Sequence, residues 1–101
     1  NKVNPNQLSS NWYVSGYKKS EGYLIDHDDE IIWDDKYVEY YENGIILREG
    51  YYNRGKKNGK WTEYYDNRVR KSLGNYMDDI QIGEWEFYSN EGVLIEKIYF
   101  E

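Results

Sequence analysis

His27 is the only histidine of the chain, and it stands in DHDDE (26–30) among carboxylates. A nucleophile, base and acid constellation would have to be built around that imidazole, with a serine or threonine brought from a turn. No elbow motif accompanies it. Asp26, Asp28 and Glu30 could instead hold a divalent cation. The run lacks the glycine at its sixth position and the distal glutamate of a calcium loop, so it reads as a solvated acidic turn with no metal. Glu63, Glu84 and Glu86 lie near tryptophans, a pairing of carboxylate and ring that also builds sugar-cleaving sites. On alternating strands they read as solubilising residues. With no acid-base or nucleophile motif assembled, the expectation is a non-enzymatic chain that needs no cofactor.

Two groups of residues could carry binding. Tyr40, Tyr64 and Tyr88 recur every 24 residues and would form one aromatic row, by cross-strand packing and with a partner added on top. The loop RGKKNGK (54–60) offers Arg54, Lys56 and Lys57 to a phosphate or an acidic partner. Asp78 and Asp79 reverse its sign one repeat later, which favours a charged hairpin loop that keeps the sheet soluble.

The elements that must position these residues are legible in the composition. Alanine is absent, Val and Ile together number 14, and 19% of the 101 residues are aromatic, a set that suits pleated surfaces better than helices. The length fits one domain. A net charge of −6 argues against nucleic acid and against anionic membrane, both of which recruit surplus Lys and Arg. Eight acids fall within 26–42, whereas seven of the 13 basic residues fall within 54–71. Without cysteine there is no disulfide, no thiolate site and no indication of redox compartment. The chain opens on Asn1, so an upstream segment is expected to have been removed, and cytoplasmic and exported locations both stay open.

The stretch YYENGIILREGYYNRGKKNGKW (40–61) is answered by YYDNRVRKSLGNYMDDIQIGEW (64–85). The period of 24 aligns Gly50 with Gly74, Tyr52 with Tyr76 and Phe100, Gly59 with Gly83, and Trp61 with Trp85. EGYLI (21–25), 22 residues before NGIIL (43–47), marks the turn of a degraded first copy. The units are then 11–34, 35–58, 59–82 and 83–101. Asn43-Gly44 and Glu91-Gly92 predict tight type I′ turns, with Arg68 at φ > 0 in the equivalent place, and 53–58 and 77–82 predict looser connections. A one-to-one register through these turns gives a row Tyr37, Gly50, Trp61, Gly74, Trp85, Ile98. Beside it would run Tyr52, Gly59, Tyr76, Gly83, Phe100. Aromatic rings would cover the glycines, and the sheet would curl with the rings on its concave side. The opposite face would carry Tyr40, Leu47, Tyr64, Lys71, Tyr88, Ile95, and Arg48 would lie between Glu39 and Glu63. Residues 11–17 and 93–100 would be edge strands, open to self-association.

GKWTEYYDN (59–67), GEWEFYSNEG (83–92) and NGIILREGYYNRGKKNG (43–59) resemble the MORN repeat in its bacterial variant. The resemblance covers 35–101 well and 11–34 weakly. It departs at Arg68, where the pattern has glycine, and at Tyr37, where it has tryptophan. It implies serial hairpins in an elongated twisted sheet without catalytic residues. Eukaryotic relatives contact lipid or scaffold proteins, and bacterial members are labelled antitoxin components. The expectation is therefore an all-β, elongated and curled antiparallel meander that binds a protein, possessing the alternative of a carbohydrate or cell-wall platform.

Overall fold

The computed structural model describes residues 7–101, all in strands and turns. The strands are β1 (Gln7–Trp12), β2 (Lys18–His27), β3 (Glu30–Tyr40), β4 (Ile46–Asn53), β5 (Lys56–Lys57), β6 (Gly59–Tyr64), β7 (Arg70–Met77), β8 (Ile80–Tyr88) and β9 (Leu94–Phe100). They form one antiparallel sheet in the order β1-β2-β3-β4-β6-β7-β8-β9, with the short β5 pairing β4. The sheet is an open meander, as the composition and repeat predict. Its Cα extents are 50 × 40 × 14 Å, and because a flat pleated layer is far thinner, the third dimension reports twist and bending.

The central row forms as predicted. Tyr37 pairs Gly50, Trp61 pairs Gly74 and Trp85 pairs Ile98. We call this side the front face. A Cβ built on Gly50 would lie 2.1 Å from the Trp61 ring, and one on Gly74 would lie 2.1 Å from the Trp85 ring. Each tryptophan therefore rests on the glycine of the strand before it. Its indole N–H donates back to that strand, Trp61 Nε1 to the Tyr51 carbonyl at 2.8 Å and Trp85 Nε1 to the Asn75 carbonyl at 3.0 Å. Trp61 and Trp85, each 4% exposed, are the buried large apolar side chains among the described residues. A one-layer sheet makes its core this way because it has no second layer to pack against.

The two turn classes are the reverse of the expectation. At the expected tight turns only Gly44, Arg68 and Gly92 have positive φ, at 91°, 73° and 86°. Tyr41 and Gly44 close a type I turn, and the residue in the left-handed region after it makes a bulge. Asn43 is not left-handed: its Oδ1 accepts the Ile45 N–H, and Asn67 does the same for Val69. The expected loose connections are two-residue turns, with both residues left-handed at Arg54-Gly55 and Asp78-Asp79, and the acidic turn Asp28-Asp29 has the same form.

These turns displace the rows drawn from a one-to-one register. Half of the second row forms, with Gly59 opposite Tyr76 and Gly83 opposite Phe100, but across the other two hairpins Tyr52 pairs Lys57 instead of Gly59 and Tyr76 pairs Gln81 instead of Gly83. Gly59 and Gly83 sit at bulges with φ of 83° and 69°, and nothing would lie within 4 Å of a Cβ on either. Backbone geometry, not a covering ring, asks for glycine there. On the back face Tyr40 pairs Ile46, Tyr64 pairs Arg70 and Tyr88 pairs Leu94, where Leu47, Lys71 and Ile95 were expected, because the left-handed turn residue adds one residue to the strand that follows.

EGYLI is no turn. It lies inside β2, where Gly22 pairs Tyr37 and approaches Trp33 as Gly50 approaches Trp61. The counterpart of the Gly44 turn is at 13–17, closed by Gly16 N–H to the Tyr13 carbonyl, so the expected edge strand 11–17 is a turn in its second part and the edge is β1.

Candidate partner-binding surfaces

The front face carries a continuous string of rings from Trp33 through Tyr37, Tyr52, Trp61 and Tyr76 to Trp85, with neighbouring centroids 5.0–6.3 Å apart. Beside the rings is a shallow polar depression. At its centre Arg48 makes a 2.8 Å bond to Glu39 and another to Glu63, the cross-strand match that the register predicts. Burial works to lower the Arg48 pKa, and its bonds to Glu63 and Glu39 more than offset this, leaving it raised. Tyr37 is pushed up to about 12 by burial first and by Glu39 second, whose carboxylate accepts its hydroxyl at 3.2 Å. Lys57 stands over both Trp61 and Tyr76, with Nζ 5.0 Å from each ring centre.

The back face gathers the three tyrosines singled out by the period. Tyr64 donates to Glu49 at 2.7 Å, and Tyr88 donates to Glu86 at 2.7 Å. Arg70 lies 5.7 Å from the centre of the Tyr88 ring. Burial and then the Glu49 bond raise Tyr64 to about 12, while the Glu86 bond is the first cause of the upward shift of Tyr88. Large apolar side chains stay open around this row, with Tyr51 46%, Leu94 43% and Tyr99 73% exposed.

The basic residues do not join the tyrosines. Arg54 and Lys56 are exposed at a turn tip, and Lys57 belongs to the front face. Their loop lies between two acidic neighbours. The Arg54 N–H donates to Asp34 Oδ1, and the Lys57 N–H donates to Asp79 Oδ1, each at 2.7 Å. The sign reversal between successive loops thus becomes a side-by-side match of turns. His27 lies at the end of β2 with Nε2 3.4 Å from Asp28.

One set of functional contacts escapes a reading by register. Tyr13 donates to the Tyr40 carbonyl at 2.8 Å, Tyr41 to the Tyr64 carbonyl at 2.7 Å, and Tyr65 to the Tyr88 carbonyl at 2.7 Å. Each hydroxyl reaches from one turn across a strand to the end of the next hairpin. The signal was present in the pairs Trp12-Tyr13, Tyr40-Tyr41 and Tyr64-Tyr65. Only the first member of each pair belongs to the back-face row, and the second is the brace that ties repeats together.

No protein-family model, curated protein or solved structure matches the chain, so the resemblance to MORN repeats stands on the quoted motifs alone.

Proposed function

We propose that the chain is a non-enzymatic protein-interaction module whose partner lies against the back face. The observation that supports this is the row of Tyr40, Tyr64 and Tyr88 on a one-layer sheet, with Ile46, Arg70 and Leu94 paired beside them. Tyrosine and arginine are the side chains that most often dominate the energy of protein interfaces. Two of these tyrosines are already held by carboxylates, so a partner would not bear the cost of ordering them. A sugar platform has no comparable support, because Trp61 and Trp85 are buried against glycine and cannot present a face to a sugar ring.

Affinity capture from the source cells with the native chain and with Arg70→Glu tests the reading. A protein held by the native chain and lost from the folded variant supports it. Equal retention by both, or no retained protein, counts against it. A toxin as that protein is the version the resemblance implies, and co-expression with the products of neighbouring genes would identify it.

A further inference from the structure

We infer that the two edges of this sheet are complementary, so that β9 of one chain pairs with β1 of a second copy and continues the meander head to tail. The inference rests on reading the sheet as an interaction module, and names a second copy as one partner. Its basis is a pair of substitutions in the repeat itself. Along the front-face row, every strand that receives a ring from the strand after it has glycine at that place: Gly22 for Trp33 and Tyr37, Gly50 for Trp61, Gly74 for Trp85. In β9 the same place is Ile98, which pairs Trp85 on its inner side. A strand joining β9 in repeat register must therefore bring a small residue there instead of a ring. The place that holds Trp61 and Trp85 in β6 and β8 is held in β1 by Ser9, which pairs Gly22 as Trp61 pairs Gly74. Large on small becomes small on large, and the two exceptions fit each other.

The remaining positions of that register agree. Strands alternate in direction along the sheet order, so β1 of the second copy runs antiparallel to β9, as the meander requires. Setting Ile98 opposite Ser9 sets Tyr99 opposite Leu8 and Ile95 opposite Trp12. These four are 73%, 58%, 65% and 60% exposed in the single chain. Glu96 would face Asn11. The β1 strand, QLSSNW, has no charge and no proline, which are the usual guards of an open edge. Pairing β9 with its own copy about the strand centre would instead set Lys97 against Lys97, an unfavourable match of like charges. A contact between two different edges does not close on itself as a twofold dimer does, so assembly can pass beyond two chains.

Sedimentation velocity over a concentration series tests the proposal, with circular dichroism establishing that each variant is folded. The native chain should associate beyond a dimer as concentration rises. Ser9→Trp places a ring against Ile98 of the neighbour and should abolish association, whereas Ser9→Trp with Ile98→Gly restores the internal pairing of the repeat and should recover it. Leu8→Lys, at an exposed position on the face opposite the ring sites, should weaken association by about tenfold or more. Native protein that remains a single chain at every concentration overturns the inference, as does a dimer indifferent to Ser9→Trp and Leu8→Lys. A folded double variant that fails to associate overturns the register. Capture of a different protein by the back face, without self-association, would overturn this inference and leave the interaction-module reading standing.

Discussion

Replacing Gly74 with alanine tests whether a ring lying on a glycine is what holds this single layer together. The backbone at Gly74 is not left-handed, so alanine meets no conformational barrier in the folded chain, and any loss of stability must come from what the added methyl meets. That carbon would lie 2.1 Å from the Trp85 ring, well inside contact distance, so the ring must lift by more than an ångström. Overpacking of this kind costs about 1–3 kcal/mol. A lifted ring also strains the bond from Trp85 Nε1 to the Asn75 carbonyl, worth about 0.5–1.5 kcal/mol. Against these stands the loss of glycine's freedom in the unfolded chain, about 0.4–1 kcal/mol in favour of alanine. The balance is a destabilisation of about 1–3 kcal/mol, a large share of the stability of a domain. Urea unfolding followed by far-ultraviolet circular dichroism measures it without relying on tryptophan emission. The same substitution in a Trp85→Leu background removes the obstacle and should cost far less. A Gly74→Ala cost below about 0.5 kcal/mol, or one unchanged in the Trp85→Leu background, would refute the claim that the ring rests on this glycine.

Other substitutions probe the turns, the braces and the tyrosines. Arg68 is left-handed with φ of 73°, which costs a side-chain-bearing residue about 1–2 kcal/mol, so Arg68→Gly should be neutral to stabilising by up to about 1 kcal/mol in denaturant midpoint after allowing for the looser unfolded chain. Tyr65→Phe deletes the hydroxyl that reaches the Tyr88 carbonyl and should cost about 0.5–1.5 kcal/mol, measurable in the same way and absent for the exposed Tyr99→Phe. Tyr37 and Tyr64 have pKa values pushed up to about 12, so the folded chain holds their protons more tightly than the unfolded chain does. Their stabilisation is complete below pH 10 and is lost as pH rises from 10 towards 12; unfolding midpoints that stay flat across that window would contradict the burial assigned to these rings. Arg48→Met leaves Glu39 and Glu63 without their shared cation on a half-buried face and should destabilise more than Lys97→Met, whose contact with Glu84 is 3.6 Å long and exposed.

The front-face row was legible because it depends only on the summed length of each hairpin. The pairing slips by one residue between Glu63 and Tyr64, and that bulge takes up the difference in the turn, so Trp61 still lies opposite Gly74 and an incorrect turn type did no harm there. The same error was visible wherever rows lie close to a turn. Tyr40 falls opposite Ile46 and not Leu47 because one left-handed residue at Gly44 lengthens the following strand. Asn-Gly signals a reversal of the chain strongly, but it suits two turns that differ in whether Asn is left-handed, and the local sequence does not choose between them. The aspartate pairs hid the other class. Asp28-Asp29 and Asp78-Asp79 both adopt left-handed geometry without any glycine, which a search for Asn-Gly or Gly-Gly passes over. The basic residues Arg54, Lys56 and Lys57 looked like one patch because they are adjacent in sequence, and alternation and the turn send them to different sides.

The hairpin of β2 and β3 shows how such a sheet tolerates a change of length. Between the turn at Asp28-Asp29 and the left-handed Asp35 lie 30–34, whereas between Arg54-Gly55 and Gly59 lie only 56–58. Two extra residues on this strand, matched by two on its partner, bring Gly22 and Tyr37 back into the same relation as Gly50 and Trp61. Because side chains alternate with a period of two, lengthening both arms by an even step leaves each face with its own residues, and the left-handed bulge isolates the new rungs from the row above. Insertions and deletions should therefore be accepted here in fours, divided equally between the arms, while a single added residue would exchange front for back along the remainder of its strand. A hairpin of this design has an adjustable fringe hung from a fixed band, and reach can be gained at one rim without rebuilding the aromatic string.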